Sequence, residues 1–270
     1  MFDHLVWRDD RMLLDDLVFR LEHHRNDQWE LGEECFRFYK IEPLVDQYAR
    51  FWSRPVEFRP NNVLELGIWD GGSIAFWFEC LRPQKHVGID NQRRTDSNYF
   101  RRYVASRGLE ERIRTYWATD QADQSRLLEI VAQEFVGPLD LVIDDASHMY
   151  GPTRASFEAL FPLLRPGGLY IVEDWAWAHW REFQAPSHPW ANETELTRLI
   201  VELVELAGSS TELVGSVTVF QGFAVVERGE AAIGDRRFDL ESHISRRPPP
   251  ARSPLPYWIR RLPRRCRLRV

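Results

Sequence analysis

Residues 139–148 read LDLVIDDASH and residues 167–175 read GGLYIVEDW. Each is an apolar, strand-like run that ends on acids, Asp144-Asp145 in the first and Glu173-Asp174 in the second. One helix-length segment, 151–164, lies between them. Strand, crossover helix, strand makes parallel neighbours, about 4.8 Å apart, that end on the same edge of a sheet. Asp144, Asp145, His148, Glu173 and Asp174 then converge on one small volume. Four carboxylates together are unfavourable unless a cation or a proton shares their charge. The pattern therefore points to a divalent-metal site at the carboxyl edge of an α/β sheet.

The same alternation extends outward in both directions. Strand-like runs are expected at 63–67, 85–90, 113–118, 139–144 and 167–174, with helical runs at 73–81, 97–108, 125–135 and 151–164. Repeated βα units predict a doubly wound, mostly parallel, seven-stranded sheet. A helix at about 192–207, N-capped by Asn192, should precede TELVGSVTVFQGFAVVER. That stretch reads as two strands, one of them antiparallel at the end of the sheet. Residues 61–228 form the core on this reading. Residues 1–60 are expected to be a helical, aromatic-rich cap, because Leu13, Leu14, Leu17, Val18 and Leu21 fall at helical spacing. Residues 229–270 are expected to be a Pro/Arg-rich extension.

The chain carries a net charge of −6, unevenly spread. From Ser245 to the end there are nine arginines and no acid, which leaves 26 basic against 41 acidic residues, or −15, on the rest. An acidic body argues against a general nucleic-acid-binding surface. No apolar run approaches the roughly 18 residues of a membrane span, and the N-terminal stretch mixes acids into its apolar residues, unlike a signal peptide. Cys35, Cys80 and Cys266 are odd in number and far apart, so they form neither a disulfide framework nor a CxxC pair. A cytoplasmic protein is expected. Only Lys40 and Lys85 are lysine among 35 basic residues.

The first core strand leads into Glu65-Leu66-Gly67-Ile68-Trp69-Asp70-Gly71-Gly72-Ser73. Glycines there let the backbone turn sharply and let a ligand approach. Trp69 stands where a dinucleotide fingerprint has its second glycine, which favours a smaller ligand over NAD or FAD. Asp90 ends the second strand 23 residues past Gly67, close to the spacing of a ribose-binding carboxylate. Asp120 and Gln121 follow the third strand, where either could face an adenine.

VLELGIWDGGS, VGID, the Asp-Gln pair and LVIDDASH with FPLLRPGGLYIVEDW resemble class I S-adenosylmethionine-dependent methyltransferases. More narrowly they are similar to the metal-dependent O-methyltransferases of macrolide sugars, and to a related group of rhamnosyl O-methyltransferases and cephalosporin hydroxylases. The resemblance covers about residues 60–228. It implies Mg²⁺ held by Asp145, Glu173 and Asp174, with His148 as the base. It implies S-adenosylmethionine bound by Glu65, Gly67, Asp70, Gly71, Ser73, Asp90, Asp120, Gln121 and Asp144, with Asp144 near the methionine moiety. The implied acceptor is a sugar hydroxyl on a glycosylated natural product, and a homo-oligomer is expected. A catechol, phenol or amine acceptor, or a hydroxylase-associated or non-catalytic partner subunit, is the alternative. The aromatic segment around Trp175, Trp177, Trp180 and Trp190, with His179 and His188, reads either as a substrate wall or as a packed loop.

Overall fold

The computed structural model describes residues 2, 4–21, 34–53, 58–234 and 237–248. Trp29, Cys266 and most of the Pro/Arg-rich extension lie outside the described residues. The chain opens with four strands, β1 (Leu5–Trp7), β2 (Arg11–Leu14), β3 (Leu17–Leu21) and β4 (Phe36–Phe38), followed by α1 (Glu42–Trp52). β1, β2 and β3 pair antiparallel, and β4 joins β3 in parallel.

The helix expected over Leu13–Leu21 is therefore a hairpin. Leu14 pairs with Leu17 across Asp15-Asp16, and Asp15 takes a left-handed φ of 53°. Over so short a run the apolar spacing fits either period, and the acidic turn decides between them. Met12, Leu14, Leu17 and Phe19 face inward while Leu13 and Val18 are only partly covered, the period of two that a strand requires.

The main sheet contains β5 (Asn62–Leu66), β6 (Lys85–Ile89), β7 (Ile113–Tyr116), β8 (Leu139–Asp144), β9 (Leu164–Glu173), β10 (Val214–Val219) and β11 (Phe223–Arg228). Its order is β10-β11-β9-β8-β5-β6-β7. β5 to β9 run parallel, and β11 pairs antiparallel with both β9 and β10, so the one antiparallel strand that the sequence predicts stands next to the sheet's edge and not at it. The helices are α2 (Gly72–Leu81), α3 (Asn98–Arg107), α4 (Gln124–Glu134), α5 (Tyr150–Leu160) and α6 (Thr197–Ser209). Because α6 begins at Thr197 with Leu196 before it, Asn192 is an exposed turn residue and not its cap. No helix among the described residues is long and apolar enough to cross a membrane.

Successive strands run outward from β5 to β7, and the chain then returns to β8 on the other side of β5. Ligand crevices form at the carboxyl edge where the order reverses in this way. Each face of the sheet has its own buried cluster. One joins α4, α5 and α6 to the sheet. The other joins α1, α2 and the four-stranded sheet to it through Phe19, Phe36, Phe38, Tyr48, Phe51, Phe76 and Trp77. Most of the described N-terminal aromatics are thus core residues, with Tyr39 on the wall of the cavity described next.

Candidate active site

Register places the carboxyl ends side by side. Leu66 pairs with Ile89 and with Asp144, and Asp144 pairs with Val172. Gly67, Asp90, Asp145 and Glu173 follow in the next row. Gly67 has a φ of 85°, and a Cβ there would sit 2.0 Å from the carbonyl oxygen of Asp145. Only glycine satisfies both conditions.

Neighbouring residues in a strand point to opposite faces, so the Asp144-Asp145 pair divides. Asp144 is 2% exposed and is absent from the cavity wall. Its carboxylate accepts from Ser156 Oγ at 2.6 Å, Tyr170 OH at 2.9 Å and Gln121 Nε2 at 3.1 Å. Burial raises its pKa against the hydrogen bonds from Ser156 and Tyr170. The expectation that Asp144 faces the cofactor is corrected: it braces Gln121, whose Oε1 accepts from the Ser147 N–H at 2.8 Å.

Three other expected cofactor contacts also lie away from the cavity. Glu65 is fully buried, 3.2 Å from His86 Nε2. Asp70 accepts from the Gly72 and Arg37 N–H groups at 3.1 Å each, tying β4 to the start of α2. Gly71 lies against the Phe100 ring, 2.5 Å from where a Cβ would stand.

The cavity at this edge has a volume of about 1180 Å³, and Gly67, Ser73, Asp90, Asp120, Gln121, Asp145, His148, Glu173 and Asp174 all lie on its wall. A drug-sized ligand pocket spans roughly 300–1,000 Å³, so a cofactor and an acceptor can share this one. Asp90 Oδ2 accepts from the Ile68 and Trp69 N–H groups at 3.1 and 2.8 Å, and Oδ1 accepts from the Gln92 N–H at 2.8 Å. It presets the glycine turn while remaining on the wall. Asp120 accepts from the Ala122 N–H at 2.8 Å. Ser73 Oγ is buried with no partner among the described residues, which suits a hydroxyl awaiting a ligand.

Asp145, His148 and Asp174 each offer a ligand atom, and these atoms lie within 4.8 Å of one another. Two carboxylate oxygens and an imidazole nitrogen are a donor set that fits a divalent ion. Strict alternation would send Asp174 to the face of Asp144, but its φ of 51° breaks the strand, and His148 is likewise left-handed at 57°. Backbone strain of this kind persists where surrounding structure enforces it and gathers at functional sites.

Glu173 stands apart from that trio. Lys40 Nζ donates to both of its oxygens at 2.7 Å and to Asp145 Oδ2 at 2.7 Å, and Tyr48 OH donates to Glu173 Oε1 at 2.8 Å. Burial, with Asp145 close by, pushes Glu173 up to about 7 despite these donors. Burial opposes the charge on Lys40, but Asp145, Glu173 and Glu65 outweigh it and hold the ammonium above its ordinary pKa. Sequence reading missed Lys40 and Tyr48. The available signal was composition: Lys40 is one of two lysines in an arginine-rich chain, and a compact ammonium suits a gap between two carboxylates better than a planar guanidinium does.

The aromatic segment divides between the two readings. Trp177 is buried and donates to the His148 carbonyl at 2.8 Å, while Trp180 and Trp190 lie on the cavity wall. His179 Nε2 is 2.9 Å from Thr197 Oγ1, and His188 Nδ1 accepts from the Trp190 N–H at 3.1 Å, so both serve the loop's own structure.

Residues 64–175 match a family described as a methyltransferase domain. Demethylmacrocin O-methyltransferase of Streptomyces fradiae is 36% identical over 150 residues, covering 53% of this chain and 34% of that protein. Mycinamicin VI 2''-O-methyltransferase of Micromonospora griseorubida is 37% identical over 134 residues, covering 47% of this chain and 30% of that protein. Among solved structures, the MycE methyltransferase of the mycinamycin biosynthetic pathway, in complex with Mg, SAH and mycinamycin VI, is similar with a TM-score of 0.50 and 30% identity, over 72% of this chain and 51% of that one. The matched region spans about a third of the length of these two curated relatives.

Proposed function

We propose that this chain, whose residues 64–175 match the methyltransferase-domain family, is a divalent-metal- and S-adenosylmethionine-dependent O-methyltransferase acting on a sugar hydroxyl of a glycosylated natural product. The observation that carries the reading is that one cavity is walled both by the glycine turn with Asp90 and Asp120 and by the Asp145, His148 and Asp174 cluster. The similarity to methyltransferases of macrolide pathways supports the acceptor class, and the Mg and SAH in the MycE complex support the two cofactors. On this reading residues 61–228 are the catalytic unit, and residues 1–60 contribute Lys40 and Tyr48 to it.

When bound, S-adenosylmethionine supplies an activated methyl group and Mg²⁺ lowers the pKa of a hydroxyl oxygen. Asp145, Glu173 and Asp174, the set the sequence leads one to expect, would hold the ion. Gly67, Ser73, Asp90, Asp120 and Gln121 would bind the cofactor, with Asp90 holding the turn in a preset shape. His148, on the cavity wall beside Asp145, would take the acceptor's proton as general base. Trp180 and Trp190 offer aromatic faces to an apolar ring system.

The test is methyl transfer to demethylated macrolide glycosides by purified protein, with and without EDTA, read by product mass. Loss on chelation and recovery with Mg²⁺ is the expected result. Full activity in metal-free protein would remove the ion from the reading, and absence of S-adenosylmethionine binding by calorimetry would remove the cofactor.

A further inference from the structure

We infer that Ile41, the residue that opens α1, is a specificity-determining contact for the apolar ring system of the acceptor, kept open on the cavity wall at a position where a helix would otherwise be capped. The inference rests on the glycoside-acceptor reading above and deepens it.

Ile41 is the N-cap of α1, with the extended φ of −81° and ψ of 156° of that position, and its side chain makes no capping hydrogen bond. Isoleucine is among the poorest residues there, whereas serine, asparagine and aspartate accept from the free N–H groups of the first turn. The chain uses such caps elsewhere. Ser97 accepts from the Phe100 N–H at the start of α3, and Asp123 accepts from the Arg126 N–H at the start of α4. Where α5 and α6 begin on apolar residues, those residues are packed: Met149 lies against the core and Leu196 is fully buried. Ile41 serves neither purpose. It stands outside both buried clusters and is 48% exposed. Of the exposed large aliphatic side chains among the described residues, Ile41 alone lies on the cavity wall.

The wall around it is preformed. The Gly222 N–H donates to Gln47 Oε1 at 3.0 Å, and Gln47 Nε2 donates to the Pro43 carbonyl at 3.0 Å. A Cβ at Gly222 would lie 2.4 Å from Leu44 Cδ1. The first turns of α1 and the β10–β11 turn therefore fit together as one surface. The Gly222 carbonyl accepts from the Asp174 N–H at 2.8 Å, which sets that surface beside the acids where the acceptor hydroxyl would react. A half-exposed isoleucine offers nothing to a sugar hydroxyl. Its complement is the apolar surface of an attached ring system, since contact removes both from water.

The test is calorimetry of a demethylated macrolide glycoside binding to the full chain, with S-adenosylhomocysteine and Mg²⁺ present, for wild type, Ile41→Ser and Ile41→Leu, together with urea unfolding of each. Ile41→Ser removes the apolar contact and supplies a cap. It should weaken glycoside binding about tenfold, a change of about 1.4 kcal/mol, with a urea midpoint at or above that of wild type. Ile41→Leu keeps the apolar surface and should bind within about threefold of wild type. A merely structural isoleucine would lower the midpoint when replaced and leave the affinity alone. Loss of affinity below about threefold in Ile41→Ser, or a midpoint below that of wild type, would overturn the inference, and so would a wild type that binds no glycoside. If methyl transfer by wild type is intact but Ile41→Ser binds normally, the inference alone fails. If the glycoside binds with the expected loss in Ile41→Ser but wild type transfers no methyl group, the inference stands and the methyltransferase reading fails.

Discussion

Gly67 and Asp145 meet backbone to backbone: a Cβ at Gly67 would lie 2.0 Å from the Asp145 carbonyl oxygen, while the Asp145 N–H donates to Leu66 at 2.9 Å. The glycine turn and the strand end that carries Asp145 are therefore one piece of packed main chain. Gly67→Ala must both occupy a φ of 85° and push that contact apart. It should destabilise the fold by more than about 2 kcal/mol, measured by urea unfolding, and should weaken Mn²⁺ binding by displacing Asp145. Wild-type stability in the variant would refute the close approach.

Asp144 is expected to act on stability and on the placement of Ser147, not as a direct ligand. Asp144→Asn replaces an acceptor oxygen by a donor facing Ser156, Tyr170 and Gln121. Leaving one such buried group unmatched costs about 1–3 kcal/mol. Urea unfolding checks the loss, and calorimetry with S-adenosylmethionine checks that affinity falls far less than it does for Asp90→Asn.

His148→Ala should lower turnover by about 10²–10⁴-fold, the usual contribution of a positioned base. S-adenosylmethionine affinity should be unchanged by calorimetry. Mn²⁺ affinity distinguishes the two roles open to this imidazole: the expected result is little change, and a large loss would make it a ligand.

Asp70 predicts a pH dependence. Burial pushes its carboxyl up to about 6 against backbone hydrogen bonds from Arg37 and Gly72. A folded pKa above the unfolded value means that the folded protein holds the proton more tightly. The stability from this group is full below about pH 4 and is lost as pH rises through 6, by up to about 3 kcal/mol. Unfolding free energies of wild type and Asp70→Asn across pH 4–7.5 should show a flatter profile for the variant. Parallel profiles would count against the shift.

Much of the fold was legible because its signals are local. Apolar runs of strand length, glycines at helix ends and acids closing each strand mark β5 to β9 and their helices within a few residues. The hairpin at Arg11–Leu21 was not, because short apolar spacing suits both periods and the left-handed Asp15 is visible only in the backbone. At the site, Asp145, His148 and Asp174 were legible as chemistry-bearing residues at strand ends. The turning of Asp144, Asp70 and Glu65 away from the cavity was not, since it depends on which face each strand presents.

By itself the sequence determined the βα alternation, the glycine turn and the grouping of acids on one sheet edge, because each follows from residues close together in the chain. Only the tertiary structure decided which carboxylates face the cavity and that Lys40 lies among them. Facing depends on strand parity and on the left-handed turns at His148 and Asp174, and the Lys40 contacts join segments more than a hundred residues apart. A local pattern names the charges gathered at an edge; the packing of a second sheet against the first supplies the cation that balances them.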